Sequence, residues 1–292
     1  MAVATADSAV PATSQRSKPK RLVTAWHLVG LLAIFLFAVF PFYWMVATSL
    51  KTQAEALASP PIWVFTPRLD NYFEVLFNRD VLSSLINSII IAVSTTVLAV
   101  GLGTPAAYAL ARFEFKSKEE LWFWFITNRM LSPIVVALPI FLMARTFGMI
   151  DTHLVLILVY LTFNLPIVVW ICTDQFRGVP KDLDEAARLA GASRFTIFWR
   201  IALPLAMPGV AVSAIFSFIW TWDDFFGPLI YLNDMDTYTA QIGLRSFVDS
   251  GGESDWPALF AMSVLGLVPV FLFFLFFQRL LIEGIATTGM KR

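Results

Sequence analysis

A small group of charged and aromatic side chains stands out because it lies within long apolar stretches. Asp223 and Asp224 follow Trp220 and Trp222, and Arg129 lies in a different apolar stretch. Charged groups in such segments are costly and usually mark function. Carboxylates accept hydrogen bonds from hydroxyl groups and indoles pack on apolar ring faces, so the group could bind a hydroxyl-rich solute. In a structural interpretation, equally compatible with the sequence, the acids lie near the outer interface or pair with Arg129. Weaker candidates of the same kind are Asn128 and Asn164.

Catalytic and metal-binding chemistry have no support in the sequence. Cys172 is the only cysteine and His27 and His153 are the only histidines, so a Cys/His metal cluster cannot be assembled. The sequence contains no G-x-x-x-x-G-K-[ST], H-E-x-x-H or G-x-S-x-G pattern. We therefore expect no catalytic residue, no metal site and no enzyme activity. The formal net charge of zero also gives no support for a nucleic-acid partner.

The segment that begins at Pro180 has the pattern of an amphipathic helix. Pro180 can occupy a first helical turn, where its missing N–H is no loss. Asp182, followed three residues later by Glu185, resembles a capping box. The spacing of the small and apolar residues predicts that they share one face of this helix; they are Leu183, Ala186, Ala187 and Ala190.

A second short helix is predicted after a glycine. Gly191 interrupts the first helix, and Ser193 can cap a second one that continues through Ile201. Pro204 and Pro208 are then expected to stop this helix before the next apolar stretch. The pattern therefore predicts two short helices that meet at Gly191.

The same segment fits the pattern E-A-A-x3-G-x9-I-x-L-P without a gap. The seven matched residues are Glu185, Ala186, Ala187, Gly191, Ile201, Leu203 and Pro204. This pattern resembles the signature loop of ABC importer permeases. The resemblance implies that the loop forms a coupling helix, which sits in a cleft of a separate ATPase subunit. The alternative is that Lys181–Leu203 is only an interfacial amphipathic helix whose arginines face lipid headgroups.

Composition places the chain in a lipid bilayer. Hydrophobic residues make up 58% of the sequence and charged residues only 14%, whereas soluble domains have about 25% charged residues. A helix that crosses the hydrocarbon needs about 20 mostly apolar residues. Six such stretches predict an all-α membrane protein with six transmembrane helices: Ala25–Thr48, Ser84–Ala111, Leu121–Ala144, Leu154–Thr173, Pro208–Leu232 and Pro257–Ile282.

The basic residues predict the orientation of these spans. If the amino terminus is cytoplasmic, fifteen of the 21 Lys and Arg residues fall in inner segments, five fall in outer segments, and Arg129 lies in the third span. The positive-inside rule then puts both termini in the cytoplasm. The predicted coupling loop lies between spans four and five, on the same side.

Further motifs resemble the maltose-type, or carbohydrate-uptake, branch of the importer permeases. They are Asn87-Ser88, Ala106-Ala107-Tyr108-Ala109, Pro133 and Pro139, and Trp222-Asp223-Asp224-Phe225. The short amino-terminal tail and the ending Gly284–Arg292 resemble the second, shorter permease of the pair. This resemblance implies a multi-pass protein of the bacterial cytoplasmic (inner) membrane that imports a sugar or sugar-like solute. Its domains would be a cytoplasmic tail, residues 1–23, and one permease domain, residues 24–292.

The resemblance also implies the partners. They are a second permease subunit, two ATP-binding cassette subunits and an extracytoplasmic solute-binding protein. No cofactor is expected in this chain, because ATP and Mg²⁺ would be bound by the partner ATPase subunits. The main competing hypothesis is a secondary transporter of small polar solutes, which typically has inverted repeats and ionisable residues near the midplane. Six unrepeated spans and a coupling-type loop argue against it.

Overall fold

The computed structural model describes residues 25–78, 81–245, 247–248 and 254–289, and these ranges form helices and no strand. The predicted all-α fold class is confirmed. The helices are α1 (Ala25–Ser49), α2 (Gln53–Ala56), α3 (Asp70–Phe73), α4 (Val81–Arg112), α5 (Lys118–Met130), α6 (Pro133–Thr146), α7 (His153–Gly178), α8 (Lys181–Leu189), α9 (Arg194–Ile197), α10 (Leu203–Asp223), α11 (Phe226–Tyr231), α12 (Ala240–Arg245) and α13 (Trp256–Gly289). Two π-helical segments, Glu74–Asn78 and Phe198–Ala202, and a 3₁₀ turn, Met235–Thr237, complete the set.

Five of the six predicted spans are helices long and apolar enough to cross a membrane by themselves. They are His27–Ser49, Val81–Arg112, His153–Gly178, Arg194–Asp223 and Trp256–Arg279. The third predicted span, Leu121–Ala144, is not one straight helix. It consists of α5 and α6, which meet at an angle of 98° and make a sixth span only if the bent pair is counted as one.

Proline chemistry accounts for the break between α5 and α6. Pro133 is the first residue of α6, and the preceding Leu131 and Ser132 have extended backbones with ψ of 130°. A residue before proline is driven out of the helical region by a clash with the proline ring. The apolar run is therefore long enough to span, but the chain turns within it.

The fifth predicted span also needs correction. Pro204 and Pro208 were expected to stop the preceding helix, but the helical path runs without a gap from Arg194 to Asp223. Pro204 lies in the first turn of α10, where a missing N–H is tolerated, and a π-helical segment precedes it. The span ends at Asp223, before the predicted limit Leu232.

The chain divides into two units, residues 1–44 and 45–292. In the first unit, the described side chains of residues 27–43 are exposed and mostly apolar, which suits contact with lipid. The predicted tail, residues 1–23, lies outside the described residues, so the predicted domain boundary at residue 24 stays a prediction.

The core of the second unit is built where α4, α7 and α10 come close together. A Cβ atom added to Gly103 of α4 would lie 2.6 Å from Cγ1 of Val168 in α7. A Cβ atom on Gly209 of α10 would lie 2.7 Å from Cβ of Gln175, also in α7. Small residues of this kind let helix backbones approach closely in a membrane, where apolar burial gives little driving force. Helix α7 is therefore packed on two sides through glycines.

The two ends of α4 bind different loops. Near its start, Asn87 Nδ2 donates to the carbonyl oxygens of Asp236 and Tyr238 at 2.8 and 3.1 Å. At its last residue, Arg112 Nη2 donates to the carbonyl oxygen of Val179 at 2.9 Å. The loop after α11 and the loop after α7 therefore lie at opposite ends of this long helix, as alternating spans require.

Candidate functional site

Helix α8 begins at Lys181, directly after Pro180, as predicted. The predicted capping box is wrong, because Pro180 is the N-cap residue and makes no side-chain cap. Asp182 is therefore the second helical residue and cannot cap from that position. The fixed backbone conformation of Pro180 therefore favours the helix start, and no reciprocal pair of side chains caps it.

The predicted break at Gly191 is confirmed. Gly191 has a φ of +84°, the left-handed conformation that glycine adopts without strain. The N–H groups of Gly191 and Ala192 donate to the carbonyl oxygens of Arg188 and Ala187 and close the end of α8. Ser193 Oγ then accepts from the backbone N–H of Thr196 at 3.2 Å and caps α9.

Most of α8 is exposed. The predicted apolar face is not buried within this chain, since Leu183, Ala186 and Ala190 are exposed and Ala187 is only half-buried. Glu185 is also exposed and makes no hydrogen bond or ion pair to any residue that the structure describes. Every residue of α8 is described, and Asp184 is the only one that is buried.

Exposed apolar side chains flank the glycine turn. Leu189 is 92% exposed and Phe195 is 73% exposed. Large apolar side chains at the end of a helix pair are candidates for contact with another protein. Together with Glu185, they form a surface, here called the docking surface, that has one acid and two large apolar groups.

The remaining motif residues lie where the segment joins α10. Ile201 and Leu203 are half-buried, and Pro204 is exposed. Beside them, the Tyr108 ring lies 5.0 Å from that of Phe198 and 5.4 Å from that of Phe176, measured between ring centres. The seven motif positions therefore fall into an outward-facing part near Gly191 and a part fixed next to an aromatic core.

The Asp224 carboxylate is held by two hydrogen bonds within the chain. Its Oδ2 accepts a hydrogen bond from Tyr160 Oη at 2.9 Å and another from the backbone N–H of Gly227 at 2.8 Å. Asp224 therefore ties the turn before α11 to α7. Asp223 is exposed, and neither acid is paired with Arg129. Of the interpretations left open by the sequence, pairing with Arg129 does not occur.

Arg129 instead lies against Trp220. Its guanidinium carbon is 4.2 Å from the centre of a Trp220 ring, a cation–π contact. Trp220 is 40% exposed, and Asp223 follows it by three residues on α10, so the two side chains share one face of the helix. The structure thus brings Arg129 into contact with Trp220, and Asp223 follows on the same side of α10.

The other pathway candidates are largely buried between helices. Asn164 is 1% exposed and donates through Nδ2 to Thr221 Oγ1 at 2.9 Å, which links α7 to α10. Trp222 is 4% exposed, and its ring stacks on Phe218 with centres 5.8 Å apart. Asn128 is half-buried, and its Oδ1 has no hydrogen-bond partner among the described residues.

Comparison with known proteins decides the family. Residues 99–286 match the family described as the binding-protein-dependent transport system inner membrane component. This match covers more than half of the chain. The chain belongs to this family. The permease is thus a membrane subunit of a transport system and not an enzyme.

Individual relatives match the permease over nearly its full length. The diacetylchitobiose uptake system permease protein of Streptomyces coelicolor is 31% identical over 96% of this chain and 93% of its own length. The trehalose transport system permease protein of Mycobacterium tuberculosis is 34% identical, over 93% of this chain and 98% of its own. Among solved structures, a chain of a bacterial ABC transporter that imports the acidic polysaccharide alginate has the same fold. It is 23% identical, its TM-score is 0.72, and the match covers 90% of the permease and 99% of that chain.

Sequence reasoning did not single out Arg112 and Asp184, which form an ion pair. Arg112 Nε lies 2.9 Å from Asp184 Oδ2, and the two side chains are 3% and 7% exposed. In the sequence both appear as ordinary charged residues of inner segments. Nothing in the sequence pattern pairs these two residues, which lie in different helices.

Replacing Asp224 with alanine is expected to destabilise the permease without a specific change in solute preference. Tyr160 is 3% exposed, and its hydroxyl would lose its acceptor, as would the N–H of Gly227. A buried donor left unsatisfied costs about 1–3 kcal/mol. The melting temperature and the yield of assembled transporter would show this loss.

Asp223→Ala is the matched control, because Asp223 is adjacent and exposed. We expect it to melt like the parent protein. If Asp224→Ala melts like the parent but transports a different set of solutes, the structural role is wrong.

Proposed function

We propose that the permease forms half of the translocation pathway of an ATP-driven importer for a sugar or sugar-like solute. The solute class rests on the names of three relatives. The first name specifies diacetylchitobiose, the second trehalose and maltose, and the third trehalose. The sugars are not the same in all three names, but each name specifies a carbohydrate. The proposal therefore extends to the class of solute and not to one compound.

The docking surface supports coupling to a separate ATPase. Glu185 offers an unpaired carboxylate, and Leu189 and Phe195 offer apolar contact area at the end of a helix pair. A helix that only lies in the membrane interface would bury its apolar face in lipid, whereas in this proposal the apolar groups beside the turn contact the ATPase. In this proposal the partner subunits bind ATP and Mg²⁺, and their movement reaches the permease through α8.

The complete importer would contain this permease, a second permease, two ATPase subunits and an extracytoplasmic binding protein. A solved structure with a TM-score of 0.64 to this chain is an alginate transporter in complex with its oligosaccharide-bound periplasmic protein, which supports such an assembly. The distribution of Lys and Arg supports an orientation with α8 and both termini in the cytoplasm of the bacterial cell.

Arg129, Trp220 and Asp223 are the residues that we propose for contact with the solute. The Trp220 indole is partly exposed and lies against the Arg129 guanidinium, and Asp223 on the same side of α10 is an acceptor for hydroxyl groups. Asn164, Trp222 and Asp224 are assigned to helix packing, on the contacts described above. Asn128 stays a candidate, since its buried side-chain oxygen has no hydrogen-bond partner among the described residues.

The solute class can be tested with the binding protein that serves this permease. Isothermal titration with neutral disaccharides, oligosaccharides, sugar phosphates and amino acids would show which compounds it binds. We expect saturable binding of at least one carbohydrate and none of the amino acids. Binding of an amino acid, with no binding of any carbohydrate in the panel, would overturn the proposed solute class.

A further inference from the structure

Helix α8 is attached to the rest of the permease in an unusual way. An amphipathic helix normally buries its apolar side, but α8 buries Asp184 and leaves Leu183 and Leu189 exposed. A buried carboxylate needs a compensating charge, because its removal from water is costly. Here the compensating charge comes from Arg112, the last residue of α4.

Arg112 contacts two successive segments at once. Its Nε lies 2.9 Å from Asp184 Oδ2, and its Nη2 donates to the carbonyl oxygen of Val179 at 2.9 Å. Val179 is the C-cap residue of α7, and only Pro180 separates it from α8. A single guanidinium therefore joins the end of α4, the end of α7 and the buried side of α8.

The surroundings make this contact strong. Tyr108, Phe176 and Phe198 form the aromatic cluster at the same end of the molecule. An ion pair kept away from water is weakly screened, so separating the two charges is costly. Arg112 Nε, Arg112 Nη1 and Asp184 Oδ1 make no aligned hydrogen bond in the described part of the chain. The attachment is thus one charged contact to Asp184 and one hydrogen bond to Val179, both made by the same guanidinium.

Helix α4 continues from this pair to the other end of the molecule. There Asn87 binds the carbonyl oxygens of Asp236 and Tyr238, and Ser88 Oγ accepts from the N–H of Ala240 at 2.8 Å. One continuous helix of 32 residues is therefore bonded to α8 at one end and to the loop before α12 at the other.

From these contacts, we propose that the Arg112–Asp184 pair is the link that transmits displacement of α8 along α4 to the outer loop at residues 235–240. The inference rests on the proposed coupling of α8 to an ATPase. It assigns Arg112 and Asp184 as positioning residues, which act through α8 and do not themselves contact ATP or solute. Since the pair holds α8 by its buried side, a pull on the docking surface would move α4.

The test uses the assembled transporter in proteoliposomes and a cysteine at Met235, in a Cys172→Ala background. Met235 is 79% exposed and begins the 3₁₀ turn next to the carbonyl groups that Asn87 binds. The rate at which a maleimide labels this cysteine is measured with and without ATP and Mg²⁺. In the parent we expect ATP to change the labelling rate several-fold, and this readout needs no knowledge of the solute.

Arg112→Lys is the informative variant. Lysine keeps the charge, so Asp184 stays compensated, but one ammonium lacks the planar fork that reaches Asp184 and Val179 together. We expect this variant to assemble and hydrolyse ATP while ATP no longer changes the labelling rate. Arg145→Lys is the matched control, because Arg145 is an exposed arginine near the end of α6, and it should respond like the parent.

A second variant distinguishes loss of the link from a folding defect. In Arg112→Met with Asp184→Leu, apolar side chains replace the pair, a change that often preserves stability. It too should assemble and hydrolyse ATP without the labelling response. A normal ATP response in either variant, loss of assembly in both variants, or no ATP response in the parent would overturn the proposed link.

Glu185→Lys, tested in parallel, distinguishes failure of the coupling between α8 and the ATPase from failure of the Arg112–Asp184 link. If Glu185→Lys keeps normal uptake, the coupling of α8 to an ATPase fails, whatever Arg112 does. If Glu185→Lys loses uptake and Arg112→Lys keeps its ATP response, only the link through Arg112 and Asp184 fails.

Discussion

Replacing Glu185 with lysine is expected to stop solute uptake while the permease still enters the membrane and folds. Glu185 is exposed on α8 and has no partner among the described residues, so reversing its charge removes no internal contact. At an interface with a basic partner site, loss of one charged partner costs about 2–5 kcal/mol, and reversal adds repulsion. We therefore expect uptake to fall at least about thirtyfold, since each 1.4 kcal/mol is a factor of ten.

The measurement compares uptake, ATP hydrolysis and co-purification of the ATPase for Glu185→Lys and Glu119→Lys. Glu119 is an exposed acid in the first turn of α5, outside the docking surface. Replacing it with lysine changes the net charge by the same amount as Glu185→Lys. Glu119→Lys should behave like the parent protein. If Glu185→Lys shows wild-type uptake at wild-type expression, α8 does not dock on the ATPase in the proposed way.

Gly103→Ala is expected to lower the stability of the permease, because it adds a methyl group where α4 and α7 are in contact. The new Cβ would lie 2.6 Å from Cγ1 and 3.1 Å from Cβ of Val168, and a valine has no flexible end that could move aside. Overpacking of this kind costs about 1–3 kcal/mol, and here it would push α4 away from α7. The melting temperature of the purified permease, followed by tryptophan fluorescence, should fall.

Gly101→Ala is the matched control, two residues away in the same helix. Nothing lies within 4 Å of its added Cβ atom, so alanine should leave stability unchanged or raise it slightly. Combining Gly103→Ala with Val168→Ala restores space and should recover part of the lost stability. Equal melting temperatures for the two glycine variants would show that α4 and α7 are not in close contact at Gly103.

The sequence was sufficient for the class of fold and for the segment that contains α8. Runs of apolar residues are long enough to identify spans regardless of how they pack, and Gly191 and Ser193 act through local backbone chemistry. Both kinds of signal are properties of the chain alone. For this reason the all-helical class, the break at Gly191 and the helix start at Ser193 were predicted correctly, whereas the predicted end of the second helix was not.

Predictions failed where local and tertiary effects compete. The bend at Pro133 and the passage of the helix through Pro204 depend on how neighbouring residues accommodate a proline. The capping box at Asp182 failed because the N-cap residue is Pro180, two residues earlier. In each case the residue type was noticed, but its consequence depended on the exact position of the helix start.

The pathway residues show a different limit. Asp223 and Asp224 are adjacent in the sequence, yet one is exposed and the other is bound to Tyr160 and Gly227. Which of two neighbouring acids turns inward depends on a tyrosine 64 residues earlier in the chain. The Arg112–Asp184 pair was missed for the same reason, because only the folded chain brings α4 next to α8.

The most direct test is uptake of labelled sugar into proteoliposomes that contain this permease, the second permease and the ATPase subunits. The loaded binding protein is supplied outside, and ATP with Mg²⁺ is enclosed or, in a separate sample, added only outside. We expect the sugar to accumulate only when ATP is enclosed, and a proton or sodium gradient should not replace it. Accumulation driven by an ion gradient without ATP would contradict the account and identify a secondary transporter instead.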